Sequence, residues 1–152
     1  MNYKQLYDEL YEKGYQSSVN IGADFVEFLC NNYDFESILD VGCSQGKALK
    51  LYKKKGKRVF GVDIAEKAIE ICKSKGLVNC EVAPAMILPF KRNSVDAVVT
   101  TDVLEHLTRD DIIKAIWSIC RVTRKWVFIK VAKGPEGVKK WIQELQDRKS
   151  VV

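Results

Sequence analysis

The 152-residue sequence is poor in several residue types, and each scarcity narrows its class. It has one histidine and three prolines, and its five cysteines are odd in number with no C-x-x-C pair. A disulfide framework or a cysteine-rich zinc site is therefore not expected, and a reducing cytoplasm is the predicted location. No apolar run approaches the roughly 20 residues of a membrane span, so neither a membrane partner nor a signal peptide is expected.

The composition is that of a globular domain, with 47% hydrophobic and 30% charged residues. Disordered chains, collagen and coiled-coil arrays have different compositions and are excluded. Because one domain typically takes roughly 150 residues, residues 1–152 are predicted to form a single domain. Its expected parts are amino-terminal helices within 1–33, a core at 36–131 and a carboxyl-terminal helix at 135–148.

The net charge of +5 comes from a modest excess of lysine and arginine over acidic residues. Part of it is concentrated in one short segment, which contains Lys47, Lys50, Lys53, Lys54, Lys55, Lys57 and Arg58. A solvated helix face followed by a turn is one interpretation. A contact surface for an anionic partner such as nucleic acid is the other, and charge alone does not separate them.

Short β-branched runs alternate with helical periodicity along most of the chain. The runs predict five strands, at 37–41, 58–63, 79–83, 95–100 and 125–131. Apolar spacing predicts helices at 2–13, 18–32, 46–55, 65–75 and 109–121, the last opened by a capping box of Thr108 and Asp111. This alternation predicts a doubly wound α/β sheet of mainly parallel strands in the order 3-2-1-4-5. Its ligand should bind at the carboxyl ends of strands 1 and 4.

A glycine loop of the form D-x-G-x-x-x-G, with Asp40, Gly42 and Gly46, follows the first strand. Glycines at these positions allow a tight turn and a close approach of ligand to backbone. The spacing differs from G-x-G-x-x-G, which disfavours a nicotinamide dinucleotide. Asp63 ends the second strand, where a carboxylate either accepts both hydroxyls of a ribose or caps the next helix.

Four segments, in this order, resemble the motifs of class I, Rossmann-like methyltransferases that depend on S-adenosylmethionine (SAM), in particular the type 11 methyltransferases. The segments are residues 38–46, 61–65, 88–99 and 102–107. The usual sheet of this family has seven strands. Because only 21 residues follow Val131 in this sequence, we expect the last two strands to be missing.

The resemblance implies SAM as the cofactor and assigns residues to it. Gly42, Cys43 and Gly46 would lie against its methionine portion, with Asp40 near the amino group. Asp63 would hold the ribose hydroxyls. The family often offers an aspartate to the adenine, but Pro84 stands at that position here. Apolar contacts would replace it, and the full set of predicted cofactor contacts is Asp40, Gly42, Cys43, Gly46, Asp63, Ile64, Met86 and Val103.

The sole histidine, His106, is the candidate catalytic base. With Asp102 and Glu105 it has the spacing i, i+3, i+4, which would place the three side chains on one helical turn. That spacing resembles the E-x-x-E-H metal-binding cluster of small-RNA 2′-O-methyltransferases, with Asp in place of the first Glu. A hydrogen-bonded turn without metal is the alternative, and no metal is assigned.

The predicted function is methyl transfer from SAM to a small-molecule or macromolecular acceptor that the sequence does not identify. A non-catalytic SAM-binding or regulatory subunit is the alternative, motivated by Pro84 and the expected short sheet. Without further strands, strand 5 would be an edge, and an apolar edge invites pairing. We therefore expect a homodimer or a partner subunit at that edge.

Overall fold

The computed structural model describes residues 3–12 and 23–131. Its centre is a sheet of five parallel strands in the order β3-β2-β1-β4-β5, which confirms the predicted α/β fold class and strand order. The strands are β1 (Ser37–Val41), β2 (Arg58–Asp63), β3 (Cys80–Val82), β4 (Val95–Thr101) and β5 (Thr123–Lys130).

Five α-helices and one 3₁₀ turn connect or precede the strands. They are α1 (Tyr3–Glu12), α2 (Ala23–Asn32), α3 (Lys47–Lys54), α4 (Glu66–Ser74), the 3₁₀ turn (Leu104–His106) and α5 (Arg109–Val122). The Thr108 hydroxyl accepts a hydrogen bond from the Asp111 backbone N–H at 3.3 Å, as the predicted cap requires. The helix expected at 135–148 and the absence of two further strands concern residues outside the described ones.

Helices cover both faces of the sheet, which is why its central strands are apolar. Every residue of β1 and β4 is buried. On one face, α2, α3 and α4 pack on strand residues such as Ile38 and Val99. On the other, Ile119 and Val122 of α5 pack against Leu39 and Val98. Such two-sided burial favours the near-continuous β-branched runs of a parallel sheet.

The register of the strands brings the loops that follow β1, β2 and β4 together at the carboxyl ends of these strands. Val41 at the end of β1 pairs with Val62 of β2 on one side and with Thr100 of β4 on the other. From β1 the chain continues to β2 on one side, and after β3 it crosses to β4 on the other side of β1. A crevice therefore opens at the carboxyl ends of β1, β2 and β4, which is where doubly wound folds bind ligands.

Strand β5 is the edge strand of the described sheet, with β4 as its paired neighbour. Its side chains are mostly exposed although several are apolar, and Trp126, Val127 and Ile129 are 39%, 38% and 46% exposed. In the described part of the chain, none of the helices is long and apolar enough to cross a membrane.

Candidate active site

A cavity lies at the carboxyl ends of the strands, where the sequence predicts ligand binding. Its volume is about 1060 Å³ when the space at its open mouth is included. Residues from the ends of β1, β2 and β4 line it, together with residues that follow β3 and two side chains of α1. Of the predicted cofactor contacts, six line the cavity: Gly42, Cys43, Asp63, Ile64, Met86 and Val103. Asp40 and Gly46 lie outside its lining.

The loop after β1 turns sharply because three of its residues adopt left-handed backbone conformations. Gly42, Ser44 and Gly46 have φ angles of 84°, 49° and 73°. At Gly42 the absence of a side chain is also a matter of space, since a Cβ there would overlap the Cγ2 methyl of Val103. Gly42 therefore packs directly against Val103, which follows β4, and both residues line the cavity.

Asp63 holds this loop in place from the end of β2. Its Oδ2 accepts a hydrogen bond from the Ser44 backbone N–H at 2.8 Å, and its Oδ1 accepts one from Ala65 at 2.9 Å. Burial raises the pKa of this carboxyl to about 6, although backbone N–H donors oppose the rise. The Ile64 backbone N–H is a third donor to this carboxyl, and a carboxylate has about four acceptor positions, so about one remains for a ligand hydroxyl or water.

Asp40 is buried directly behind the glycine loop, in the middle of the sheet. It is 2% exposed, and its Oδ1 has no hydrogen-bond partner among the described residues. Burial, together with the nearby charge of Asp63, raises its pKa to about 7. A positively charged group in the cavity would lower the cost of ionising both carboxyls.

The segment after β3 forms the apolar wall of the cavity. Ala83, Pro84, Ala85 and Met86 line it, and Ile64 contributes from the end of β2. The wall offers no carboxylate, as the sequence predicted from Pro84. A flat apolar ring can pack between such side chains, and backbone groups of this segment can supply polar contacts.

The segment after β4 differs from the expected helical turn. Asp102 has a left-handed backbone with φ 55° and precedes the 3₁₀ turn, which begins at Leu104. The prediction that Asp102, Glu105 and His106 share one face of an α-helical turn is therefore wrong. Asp102 and His106 line the cavity, whereas Glu105 does not. Burial, as the largest effect, raises the pKa of Asp102.

Helix α1 covers part of the cavity, which the sequence did not predict. Tyr7 and Tyr11 line it, the Tyr11 and Ser44 hydroxyls hydrogen-bond, and the Tyr7 ring lies edge-on to His106 with centroids 6.4 Å apart. Asp8 accepts a hydrogen bond from the Glu66 backbone N–H at 2.8 Å, which fixes α1 to the start of α4. The amphipathic spacing of the tyrosines indicated only a buried helix face.

Comparison with known protein families agrees with this geometry. The family model described as "Methyltransferase domain" matches residues 39–129, more than half of the chain. The chain belongs to this methyltransferase family. The predicted family, its Rossmann-like fold and SAM as its cofactor are thereby confirmed. The matched range holds the glycine loop, Asp63 and His106.

Relatives of this methyltransferase domain differ in length and in named function. A tRNA (carboxymethyluridine(34)-5-O)-methyltransferase of Arabidopsis thaliana is 37% identical over 95 residues, 62% of this chain. The aligned part is only 23% of that protein. An uncharacterized protein of Methanocaldococcus jannaschii is 26% identical over an alignment of 161 positions, which covers 96% of this chain and 59% of the relative. The chain thus spans less than two thirds of these relatives.

Solved structures share the fold at low sequence identity. A TehB-like SAM-dependent methyltransferase of Corynebacterium glutamicum superposes with a TM-score of 0.67 at 22% identity, covering 97% of this chain and 80% of that one. A Haloferax volcanii methyltransferase, solved in complex with the Trm112 methyltransferase activator, gives 0.65 at 18% identity. The Haloferax alignment covers 80% of this chain and 55% of the other.

Proposed function

We propose that residues 1–152 act as one catalytic methyltransferase domain, which binds SAM in the described cavity and transfers its methyl group to an oxygen acceptor. The observation that carries the proposal is the position of Asp63. Its carboxylate accepts a hydrogen bond from the glycine loop and borders the cavity, which Val103 and His106 also line. The cofactor supplies a methyl group already activated by a sulfonium, so the protein's main task is positioning.

The residues present fit this cofactor. Asp63 lines the cavity with about one acceptor position left for a ribose hydroxyl, and Ile64 and Met86 provide an apolar wall for the adenine. Gly42 and Val103, which pack closely against each other, line the part of the cavity proposed for the methionine portion. Asp40, outside the cavity lining, supports the loop from behind and adds negative charge, which favours a cationic ligand. Cys43 and Gly46 shape the same loop.

His106 is the proposed catalytic base. It lines the cavity together with Tyr7 and Asp102, and the Tyr7 ring lies edge-on to it. A base is needed only for an acceptor that must lose a proton during transfer, such as a hydroxyl. The alternative of a regulatory subunit without catalysis is not favoured by any feature of residues 3–12 and 23–131.

Two observations favour an oxygen acceptor on an anionic molecule. The Arabidopsis relative is named as a 5-O-methyltransferase of a tRNA uridine, and an Aspergillus sclerotiorum relative as an O-methyltransferase. In this chain Lys47 lines the cavity, and Lys50 and Lys54 continue from it along the exposed surface of α3. Transfer assays should therefore include tRNA beside small hydroxylated compounds.

The His106→Ala substitution should lower the rate of methyl transfer about 100-fold or more, because general bases contribute on the order of 10²- to 10⁴-fold. Binding of S-adenosylhomocysteine (SAH) should change little. Radiolabel transfer and calorimetry measure the two effects. Arg109→Ala, an exposed change next to the site, is the control. An unchanged rate in His106→Ala would mean that positioning alone drives the reaction.

We further propose that β5, the edge strand of the described sheet, pairs with a second copy of the chain. Its exposed apolar side chains favour pairing, whereas the Haloferax neighbour, solved with a different protein, supports a partner subunit as the alternative. Ile129→Lys should convert a dimeric mass into a monomeric one in light scattering at micromolar concentration. Val78→Lys, at a 74% exposed position before β3, is the control. A monomeric mass for the unaltered chain would contradict the pairing.

A further inference from the structure

Three buried cysteines from separate elements meet beneath the glycine loop. Cys43 belongs to the loop, Cys72 to α4 and Cys80 to the start of β3, and their Sγ atoms all lie within 4.8 Å of one another. The residues are at most 4% exposed. Of the three, only Cys43 lines the cavity. A small oxidant in the cavity could thus reach this cluster through Cys43.

The surrounding backbone leaves room for the sulfur atoms and ties them to the loop. A Cβ on Gly61 would lie only 2.9 Å from the Sγ of Cys43 and equally close to that of Cys80, so glycine makes this meeting of sulfurs sterically feasible. The Cys72 thiol donates to the Ser44 carbonyl at 3.1 Å. Ser44 is also the residue whose N–H binds Asp63. Movement of a sulfur is therefore coupled to the cofactor loop.

The thiols interact with one another more strongly than with solvent. Hydrogen bonding from the Cys43 thiol is the largest effect that lowers the pKa of Cys80, and it favours the Cys80 thiolate. The same hydrogen bonding, with burial, raises the pKa of Cys43. A divalent ion held by three thiolates would carry a net negative charge beside the buried Asp40 and Asp63, and zinc sites normally have a fourth ligand. A disulfide carries no charge and suits this environment better.

We propose that Cys43 and Cys80 form a reversible disulfide that lowers cofactor binding. The Cys43 thiol first passes its proton to the Cys80 thiolate along their hydrogen bond, and the resulting Cys43 thiolate attacks one oxygen of a peroxide. The O–O bond breaks, which leaves a Cys43 sulfenic acid and a hydroxide that takes the proton of the Cys80 thiol to form water. The Cys80 thiolate then attacks the Cys43 sulfur, the S–O bond breaks, and the departing hydroxide takes up a proton from solvent as a second water. The two sulfurs, at most 4.8 Å apart, must approach to about 2.05 Å.

Formation of this disulfide requires the glycine loop, which carries Cys43, to move towards β3, which carries Cys80. Cys43 is the neighbour of Gly42 and Ser44, whose left-handed backbones define the loop. We expect the Ser44–Asp63 contact to be displaced and the cavity to bind the cofactor less tightly. A bound cofactor should in turn shield Cys43 from the oxidant. These two consequences rest on the proposed function, whereas formation of the disulfide does not.

The experiment treats the reduced full-length chain with hydrogen peroxide, with and without SAH, and then maps alkylated peptides by mass spectrometry. We expect a Cys43–Cys80 cross-link that forms at least tenfold more slowly when SAH is bound. The oxidised protein should bind SAH at least tenfold more weakly in calorimetry. Dithiothreitol should restore the affinity of the reduced protein.

Matched variants separate this site from other thiols. Cys80→Ser should lose the reversible change in SAH affinity, and Cys80→Ala replaces it if the serine variant does not fold. Cys120→Ser removes an exposed cysteine and should behave as the unaltered chain. If all three cluster cysteines remain reduced after Cys120 is oxidised, the proposal is wrong. It is equally wrong if the cross-link leaves SAH affinity unchanged, or if the isolated protein carries a metal ion that Cys80→Ser loses. Failure of the reduced chain to bind SAH would instead contradict the proposed function.

Discussion

Replacement of Asp63 by alanine should weaken SAH binding about 100-fold. Hydrogen bonds to a charged group contribute roughly 1.5–3 kcal/mol each, and 1.4 kcal/mol corresponds to a tenfold change in affinity. The variant loses the proposed ribose contacts and also the anchor of the Ser44 N–H, which it bonds at 2.8 Å. Calorimetry with SAH measures the effect. An unaltered affinity would place the ribose elsewhere in the cavity.

Two further variants show whether the charge or the shape of Asp63 matters. Asp63→Asn keeps one acceptor oxygen and the size of the side chain, so its affinity should be intermediate. Glu70→Ala removes the same charge from the exposed surface of α4, where Glu70 pairs with Lys67 at 3.0 Å. That control should bind SAH as tightly as the unaltered chain. A loss in Glu70→Ala equal to that in Asp63→Ala would indicate a long-range charge effect only.

The pH dependence of the same titration follows from the raised pKa of Asp63, about 6. The ionised carboxylate accepts hydrogen bonds from hydroxyls better than the protonated form does. Affinity should therefore decrease as the pH falls from 7 to 5, with the midpoint near 6 in the ligand-free protein. Asp40, with a pKa near 7, titrates in an overlapping range. The difference between the unaltered chain and Asp63→Asn isolates the contribution of Asp63.

The parts of the fold predicted best from the sequence are those with strong local signals. The bounds of β1 and β2 match the prediction because each is a short apolar run between polar residues. β3 is shorter than predicted, at Cys80–Val82, because its pairing with β2 covers only these three residues. The positions of Asp63 and the glycine loop were predicted from similar local signals, since a strand end, a turn and a helix start follow one another in the sequence.

The rest of the site depends on contacts that are distant in sequence. Tyr7 and Tyr11 line the cavity only because α1 packs on α4. The spacing of the α1 residues predicts that one face of the helix is buried, but not which element it contacts. The meeting of the buried cysteines is equally non-local. The prediction of a helical turn around His106 was wrong because Asp102 has a left-handed backbone. The i, i+3, i+4 spacing places side chains on one face only in a continuous helix.

The Gly42→Ala substitution should destabilise the protein by about 2–5 kcal/mol and abolish measurable SAH binding. A left-handed backbone costs a non-glycine residue roughly 1–2 kcal/mol, and overpacking adds about 1–3 kcal/mol. Gly42 has φ 84°, and the Cβ of the alanine would overlap Val103. The β-branched side chain of Val103 is restricted at χ1 and has few alternative rotamers. Because both residues line the cavity, either way of relieving the overlap changes the cofactor site. Urea unfolding and calorimetry measure the two losses.

The chain offers a control that separates backbone strain from steric overlap. Gly56 has φ 79°, and a Cβ there would have no atom within 4 Å, so Gly56→Ala should cost only the strain, about 1–2 kcal/mol. In a Val103→Ala background, the cost of Gly42→Ala should fall to the Gly56→Ala value, giving a coupling energy of about 1–3 kcal/mol. Equal costs of Gly42→Ala and Gly56→Ala in the unaltered background would show that Val103 yields without resistance. The glycine would then be required for its backbone conformation alone, and the close packing of the β1 and β4 loops would not explain its presence.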